Sequence, residues 1–290
     1  MSHWTLDDIP WESFDAARVD PELLRIIKAA ALTERNSGHY SKYLCNVFRD
    51  DPVFCAKAET WAEEEVRHGD ALGRWAEMAD PSFDFQATFA RFVDGYVIPT
   101  DVETSIRGSR SGEMVARCIV ETGTSSFYSA LRDATDEPVL RDICRRIAGD
   151  EFRHFKLFYT TLKRYLDREA ISRRRRVLVA LGRMQESEDD ELAFAYHCAN
   201  TPDRPYDRAA SSRAYAARAF QHYRLNHVER GSAMVLKAAG LAPHGRLGRL
   251  FSGALWRYLR FRLWRLGDEI RAANDHGRPT RPGSPGSAAA

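Results

Sequence analysis

The chain has 290 residues, 44% hydrophobic and 11% aromatic, enough apolar material for a buried core in one or two domains. Its 43 basic and 41 acidic residues leave a formal charge of +2, which argues against a nucleic-acid binder driven by bulk electrostatics. Five cysteines (Cys45, Cys55, Cys118, Cys144, Cys198) show no C-x-x-C spacing and are odd in number, which argues against a complete disulfide framework and for a reducing compartment.

The amino terminus, MSHWTLDDIPWESF, has neither a basic n-region nor an apolar h-region, and no stretch reaches the roughly 18 apolar residues of a membrane span. A cytoplasmic protein without a transmembrane segment is the expectation. Asp20-Pro21 is a cap-like start for a helix through about residue 49, and Pro52 starts a second to about Ala79. Residues 80–110 contain Pro81, Gly95, Pro99 and Gly108 and read as a long crossover, within which PSFDFQATFARFVDGYVIP can form a short helix. A third helix is expected from near Ser111 to Ala134, and a fourth from Pro138 to about Arg168.

Beyond the fourth helix, ISRRRRVLVALGRM, residues 187–200, 208–239 and 246–273 read as further packing helices, and HGRPTRPGSPGSAAA reads as a disordered tail. No alternating Val/Ile/Thr run appears, so no sheet is expected. The expected organisation is an extension over residues 1–19, a bundle over 20–168, packing helices over 169–274 and the tail over 275–290. Residues 246–266 mix Arg246, Arg249, Arg257, Arg260, Arg262 and Arg265 with Trp256, Tyr258, Phe261 and Trp264. Such a helix reads either as a dock for an acidic carrier protein or membrane surface, or as a partly buried helix whose arginines extend to water.

Two Glu-x-x-His tetrads, Glu65 to His68 in AEEEVRH and Glu151 to His154 in AGDEFRH, lie midway along the second and fourth helices. Residues three apart share a helix face, about 5 to 6 Å apart at Cβ, so one helix can offer a carboxylate and an imidazole together. Two such helices, with one Glu from each of two others, make the six-ligand cage of ferritin-like di-iron bundles. The remaining glutamates are Glu34 and Glu121. Glu34 lies sixteen residues before Asp50 and Glu65 fourteen after Asp51, arms of about 24 and 21 Å, so an antiparallel hairpin brings them level. Glu121 and Glu151 lie fifteen residues either side of Asp136, and the second hairpin repeats the match. The fold expected is all-α: a ferritin-like four-helix bundle with one long crossover and additional carboxy-terminal helices.

ETWAEEEVRHGDAL and CRRIAGDEFRHFKLFY, with ETGT at Glu121 to Thr124 between them, resemble the di-iron helices of the soluble acyl-carrier-protein desaturases. The likeness covers about residues 20–165. Arylamine N-oxygenases, aldehyde-deformylating oxygenases and rubrerythrins share the ligand pattern. The N-oxygenases add a His one turn before the last tetrad, where this chain has Ile147, and no four-cysteine rubredoxin-like module is present.

Glu65 and Glu151 are expected to bridge two irons, Glu34 and Glu121 to bind one each from outside, and His68 and His154 to complete the set. A di-manganese or mixed manganese and iron pair also suits oxygen and imidazole donors. Asp150 and Arg67, each beside a ligand, are candidates for orienting the imidazoles. Thr124, one turn past Glu121, is the candidate catalytic hydroxyl by the same resemblance, against ordinary bonding to its own helix. Cys118, Phe127 and Tyr128 read as channel lining or as core.

The function expected is O2-dependent desaturation or hydroxylation of an acyl chain, carrier-bound by the resemblance. The alternatives are a di-iron oxygenase on another small substrate, or a ferroxidase or peroxide-reducing protein. No Gly-rich nucleotide loop follows a strand, so an external electron donor, ferredoxin-like or flavin-dependent, is implied. The resemblance also implies a homodimer.

Overall fold

The computed structural model describes residues 4–186 and 190–276, with side chains as far as residue 267. Helix starts follow from local chemistry. Asp20 and Asp51 cap α1 (Pro21–Arg35) and α3 (Pro52–Ala79) by accepting the amides of Glu22 and Phe54. Pro21, Pro52 and Pro138 stand at the first helical position, where a missing N–H costs nothing. Between α1 and α3 lies α2 (Ser37–Val47), and α4 (Phe85–Gly95) sits in the crossover to α5 (Arg110–Ala134). Helix α6 (Pro138–Glu169) closes the second hairpin, its cap Glu137 accepting the amides of Val139 and Leu140. Glu137 also accepts from the Trp75 indole at 2.7 Å, tying the second hairpin to the first.

The most extensive helix pairing is α5 along α6, followed by α1 along α3, and α3 meets α6 to join the hairpins. Around this bundle lie α7 (Arg173–Gln185), α8 (Asp190–Asn200), α9 (Arg208–Phe220), α10 (Leu225–Ala239) and α11 (Arg246–His276). Among the described residues there is no strand, and the architecture is the all-α bundle anticipated from the helical periodicity. No described helix is long and apolar enough to cross a membrane.

Two helices anticipated as continuous are broken. The first divides at Asn36, whose amide turns back to the Thr33 carbonyl and whose side chain donates to Glu191 on α8 at 3.2 Å. Its Oδ1 lies 2.8 Å from His39 Nδ1, so both polar atoms of the Asn36 side chain are engaged at the break. The span 208–239 divides at Gln221–Arg224, where Arg224 N–H donates to His227 Nδ1 at 3.1 Å and His227 Nε2 lies 3.0 Å from Asp133. The turn lets α9 pack on α1, α8 and α11 while α10 packs on α5. The tail anticipated over 275–290 lies, from residue 277 onward, outside the described residues.

Lys28 Nζ, nearly buried on α1, meets Asp80 Oδ2 at 2.5 Å beyond the end of α3. The bonds from Lys28 and Ser82 hold the Asp80 carboxyl down at about 2. A lowered carboxylate contributes stability above its unfolded pKa and loses it as pH falls through the folded one. Asp80→Asn should therefore cost about 1 to 2 kcal/mol at neutral pH, after discount for partial exposure, with the cost shrinking as pH falls toward 2 and gone only below it. Urea denaturation of both proteins across that range checks it.

The apolar interior is not one body. One cluster includes Ile26, Leu72, Trp75, Leu131 and Ile143; the other includes Phe48, Phe54, Met114, Phe158 and Leu162. Glu34, Glu65, His68, Glu121, Glu151 and His154 are buried as well.

Candidate metal centre

Each tetrad presents its Glu and His from one helix face, as the spacing requires. The structure brings all six anticipated side chains together in two overlapping groups, Glu34, Glu65, His68 and Glu151, and Glu65, Glu121, Glu151 and His154. Within each group, one ligand atom per residue lies within 4.8 Å of the others. The shared members are Glu65 and Glu151, and their oxygens divide between the groups. Glu65 Oε2 lies 3.0 Å from His68 Nδ1, and its Oε1 lies 3.2 Å from His154 Nδ1. Glu151 Oε1 lies 3.3 Å from His68 Nδ1, and its Oε2 lies 3.9 Å from His154 Nδ1. Glu34 Oε2 is 3.8 Å from His68 Nδ1, and Glu121 Oε2 is 3.6 Å from His154 Nδ1.

The outward imidazole nitrogens are held across the bundle. His68 Nε2 is 3.0 Å from Asp150 Oδ2 on α6, and His154 Nε2 is 2.6 Å from Glu64 Oε2 on α3. A carboxylate on Nε2 fixes the proton there and leaves Nδ1 as the free donor atom. Arg153 Nη1 neutralises Asp150 at 2.5 Å, and its Nη2 lies 3.8 Å from Glu64. Asp150 thus stands where the sequence suggested. Arg67 touches neither imidazole; its guanidinium lies 5.8 Å from the Trp4 ring.

Sequence reasoning missed Glu64, although a signal existed. Each tetrad is preceded by an acid, Glu64 before Glu65 and Asp150 before Glu151, and each acid serves the other helix's histidine. Trp4 was missed too, and its contact spans 146 positions of sequence: its indole N–H donates to Asp150 Oδ2 at 2.8 Å and its ring stacks on His68 at 5.9 Å. Asp150→Ala or Glu64→Ala should weaken metal affinity by about tenfold to a hundredfold while leaving the fold intact. Competition with a chelator of known affinity measures this.

The electrostatics show why these residues fit a cation pair. Burial, then the Glu65 and Glu151 charges, raise Glu34 and Glu121 well above the carboxylate range. Burial also opposes ionisation of Glu65, yet His154 and His68 hold its carboxyl well below that range. For His68 and His154 burial disfavours the charge, but the surrounding carboxylates raise both well above the imidazole range. Glu34, Glu121 and both imidazoles thus retain protons when no cation offsets the clustered carboxylates, because uncompensated charge in a dry interior is costly. Both Glu121 oxygens, Glu151 Oε1 and His154 Nδ1 are buried and make no hydrogen bond. Buried polar atoms without partners are rare, and two metal ions would satisfy all four at once.

Thr124 Oγ1 donates to Glu151 Oε2 at 2.5 Å and also lies 3.3 Å from the carbonyls of Val120 and Glu121, so both anticipated roles are available to it. Tyr128 O–H donates to Glu34 Oε1 at 2.5 Å. A small cavity of about 140 Å³ reaches Glu34, Glu65, Glu121 and Glu151. It shares Thr33, Glu34, Val120 and Thr124 with a mainly apolar cavity of about 240 Å³ lined by Phe127, Tyr128, Tyr215 and Phe220. Cys118, Phe127 and Tyr128 are all core residues; Phe127 and Tyr128 also line this cavity, whereas Cys118 does not.

No curated protein matches this chain. A family model described as fatty acid desaturase matches residues 15–186, which contain all six converging side chains. With more than half of its length matched across the helices that build the carboxylate and histidine cluster, the chain belongs to the fatty acid desaturase family and is an oxidoreductase.

Proposed function

We propose that this protein is a di-iron, O2-dependent enzyme that desaturates or hydroxylates an acyl chain, carrier-bound in the first instance. The observation that carries the reading is the division of the Glu65 and Glu151 oxygens between two histidine-containing groups. That division suits two bridging carboxylates, with Glu34 and His68 completing one iron site and Glu121 and His154 the other. When bound, two irons supply the capacity to activate O2 and take hydrogen from an unreactive C–H bond.

The chain's own residues do the rest. Glu64 and Asp150 keep the imidazoles oriented. Thr124 holds a proton on the cavity side of Glu151, and Tyr128 holds one on Glu34. The mainly apolar cavity beside Thr124 accommodates and aligns the acyl chain. Desaturation removes two hydrogens and forms one double bond; O2, two electrons and two further protons leave as two waters. Those electrons require an external donor, ferredoxin-like or flavin-dependent.

The test is O2 consumption by the reduced, iron-loaded protein with and without an acyl-carrier thioester. Coupled consumption with an alkene or alcohol product is expected. Reoxidation accelerated by peroxide alone, with no organic product, would overturn the assignment in favour of a peroxide-reducing protein.

A further inference from the structure

Helix α5 is the central wall of the site, and every one of its residues is buried or half-buried except Gly123. Gly123 lies one residue before Thr124, so solvent reaches the middle of the most enclosed helix just beside the carboxylate cluster. A Cβ built there meets nothing within 4 Å. The reason is that two cavities meet over it. The apolar cavity beside Thr124 shares Ile119, Gly123, Phe220 and Tyr223 with a second chamber of about 680 Å³ between α5, α7, α10 and α11. Together they reach the size of an organic ligand's pocket, about 300 to 1,000 Å³.

The second chamber contains the opening. Among its lining residues Leu181 on α7 and Tyr258 on α11 are 45% and 56% exposed, whereas the inner cavity's lining residues other than Gly123 are buried or half-buried. Its walls are apolar at Val228, Val235, Leu255 and Leu259, and the half-buried Arg262 reaches from the Phe220 ring, 5.6 Å from its guanidinium, to the exposed Tyr258 ring at 5.9 Å. Most of this outer wall comes from residues 220–262, beyond the matched span of 15–186.

We propose that the acyl chain enters between α7 and α11, with its polar head near Arg262, and passes over Gly123 to reach the carboxylate cluster. Gly123 is a specificity-determining position, and the carboxy-terminal helices form the outer half of the substrate site. The ligand class is an unbranched acyl chain long enough to occupy both cavities. This rests on the acyl reading of the site given above.

The experiment measures binding to the full chain of saturated acids from octanoic to stearic, by displacement of a fluorescent acyl probe, alongside iron content. Gly123→Leu adds a better helix former than glycine and fills only the passage. Wild-type affinity should rise along the series. The variant should bind octanoic acid unchanged and stearic acid weaker by about tenfold or more, the expected loss from several unburied methylenes. Leu255→Trp, which fills the outer chamber instead, should weaken the long acids as well. Unchanged stearic acid binding in Gly123→Leu, or equal loss along the whole series, overturns the route and leaves the acyl reading standing. If neither the free acids nor a stearoyl-carrier thioester displaces the probe from the iron-loaded wild type, the route falls together with the acyl reading, while the iron content reports on the metal centre separately.

Discussion

Glu65→Ala and Glu151→Ala should each reduce metal content from two ions per chain to one or none, as measured by elemental analysis after reconstitution. Each of these carboxylates has one oxygen in each four-residue group, so a single truncation removes a ligand from both sites. It also removes the negative charge that holds two cations a short distance apart in a dry interior, where their repulsion is screened least. Glu34→Ala and Glu121→Ala remove a ligand from one group only, and one ion should remain in each. The exposed neighbour Glu63 is the control: Glu63→Ala should load two ions. A Glu65→Ala protein that retains two ions per chain would refute the bridging assignment.

Removing the metal should reverse the sign of the protein's pH dependence. In the metal-free chain Glu34 and Glu121 are raised by burial and by the neighbouring carboxylates, and His68 and His154 are raised by the carboxylates against burial. All four bind protons more tightly folded than unfolded. Their contribution is fully present below the unfolded values, about 4.3 for Glu and 6.5 for His, and is lost as pH rises toward the folded ones. Metal-free stability should therefore fall from about pH 5 to 8, by up to about 1.4 kcal/mol per pH unit for each proton retained. The lowered Glu65 and Glu151 oppose this only below their unfolded range, so they do not change the sign in that window. Metal ions need deprotonated ligands, so loading releases protons and the loaded protein should gain stability over the same interval. Thermal melts of both forms at several pH values test the reversal. Parallel curves would mean that no ion displaces these protons.

Much of the centre was legible because its determinants are local or follow from helix length. The tetrads obey the i, i+3 relation, and Glu34 and Glu121 follow from counting back from each hairpin turn. The break at Asn36 does not spoil the register, because it falls after Glu34 and leaves α1 antiparallel to α3. Tyr128, seven residues past Glu121, was visible as a residue on the same helix face but not as a donor to Glu34, since that bond joins α5 to α1. Glu64 was hidden among three consecutive glutamates, and only the partner helix's histidine distinguishes it from exposed Glu63.

The carboxy-terminal third was the least legible part. Helix α11 matches the reading of a partly buried helix: Leu255 and Leu259 face a cavity, while Arg246, Arg249, Arg257, Arg260 and Arg265 are exposed, together with Phe261 and Trp264. Hydrophobic periodicity reports that a helix has an apolar stripe, not which helix covers it or whether a void remains beneath.

Taken alone, the sequence determined the helical class, the starts of the four bundle helices at Pro21, Pro52, Ser111 within a residue and Pro138, and the six side chains able to reach one level of the bundle, because capping, periodicity and rise per residue act within a few turns. Only the tertiary structure decided which oxygen faces which histidine, that Trp4 closes over His68, and that two cavities meet above Gly123. Those features depend on how helices distant in sequence pack side by side, and the free energy of that packing belongs to no single segment.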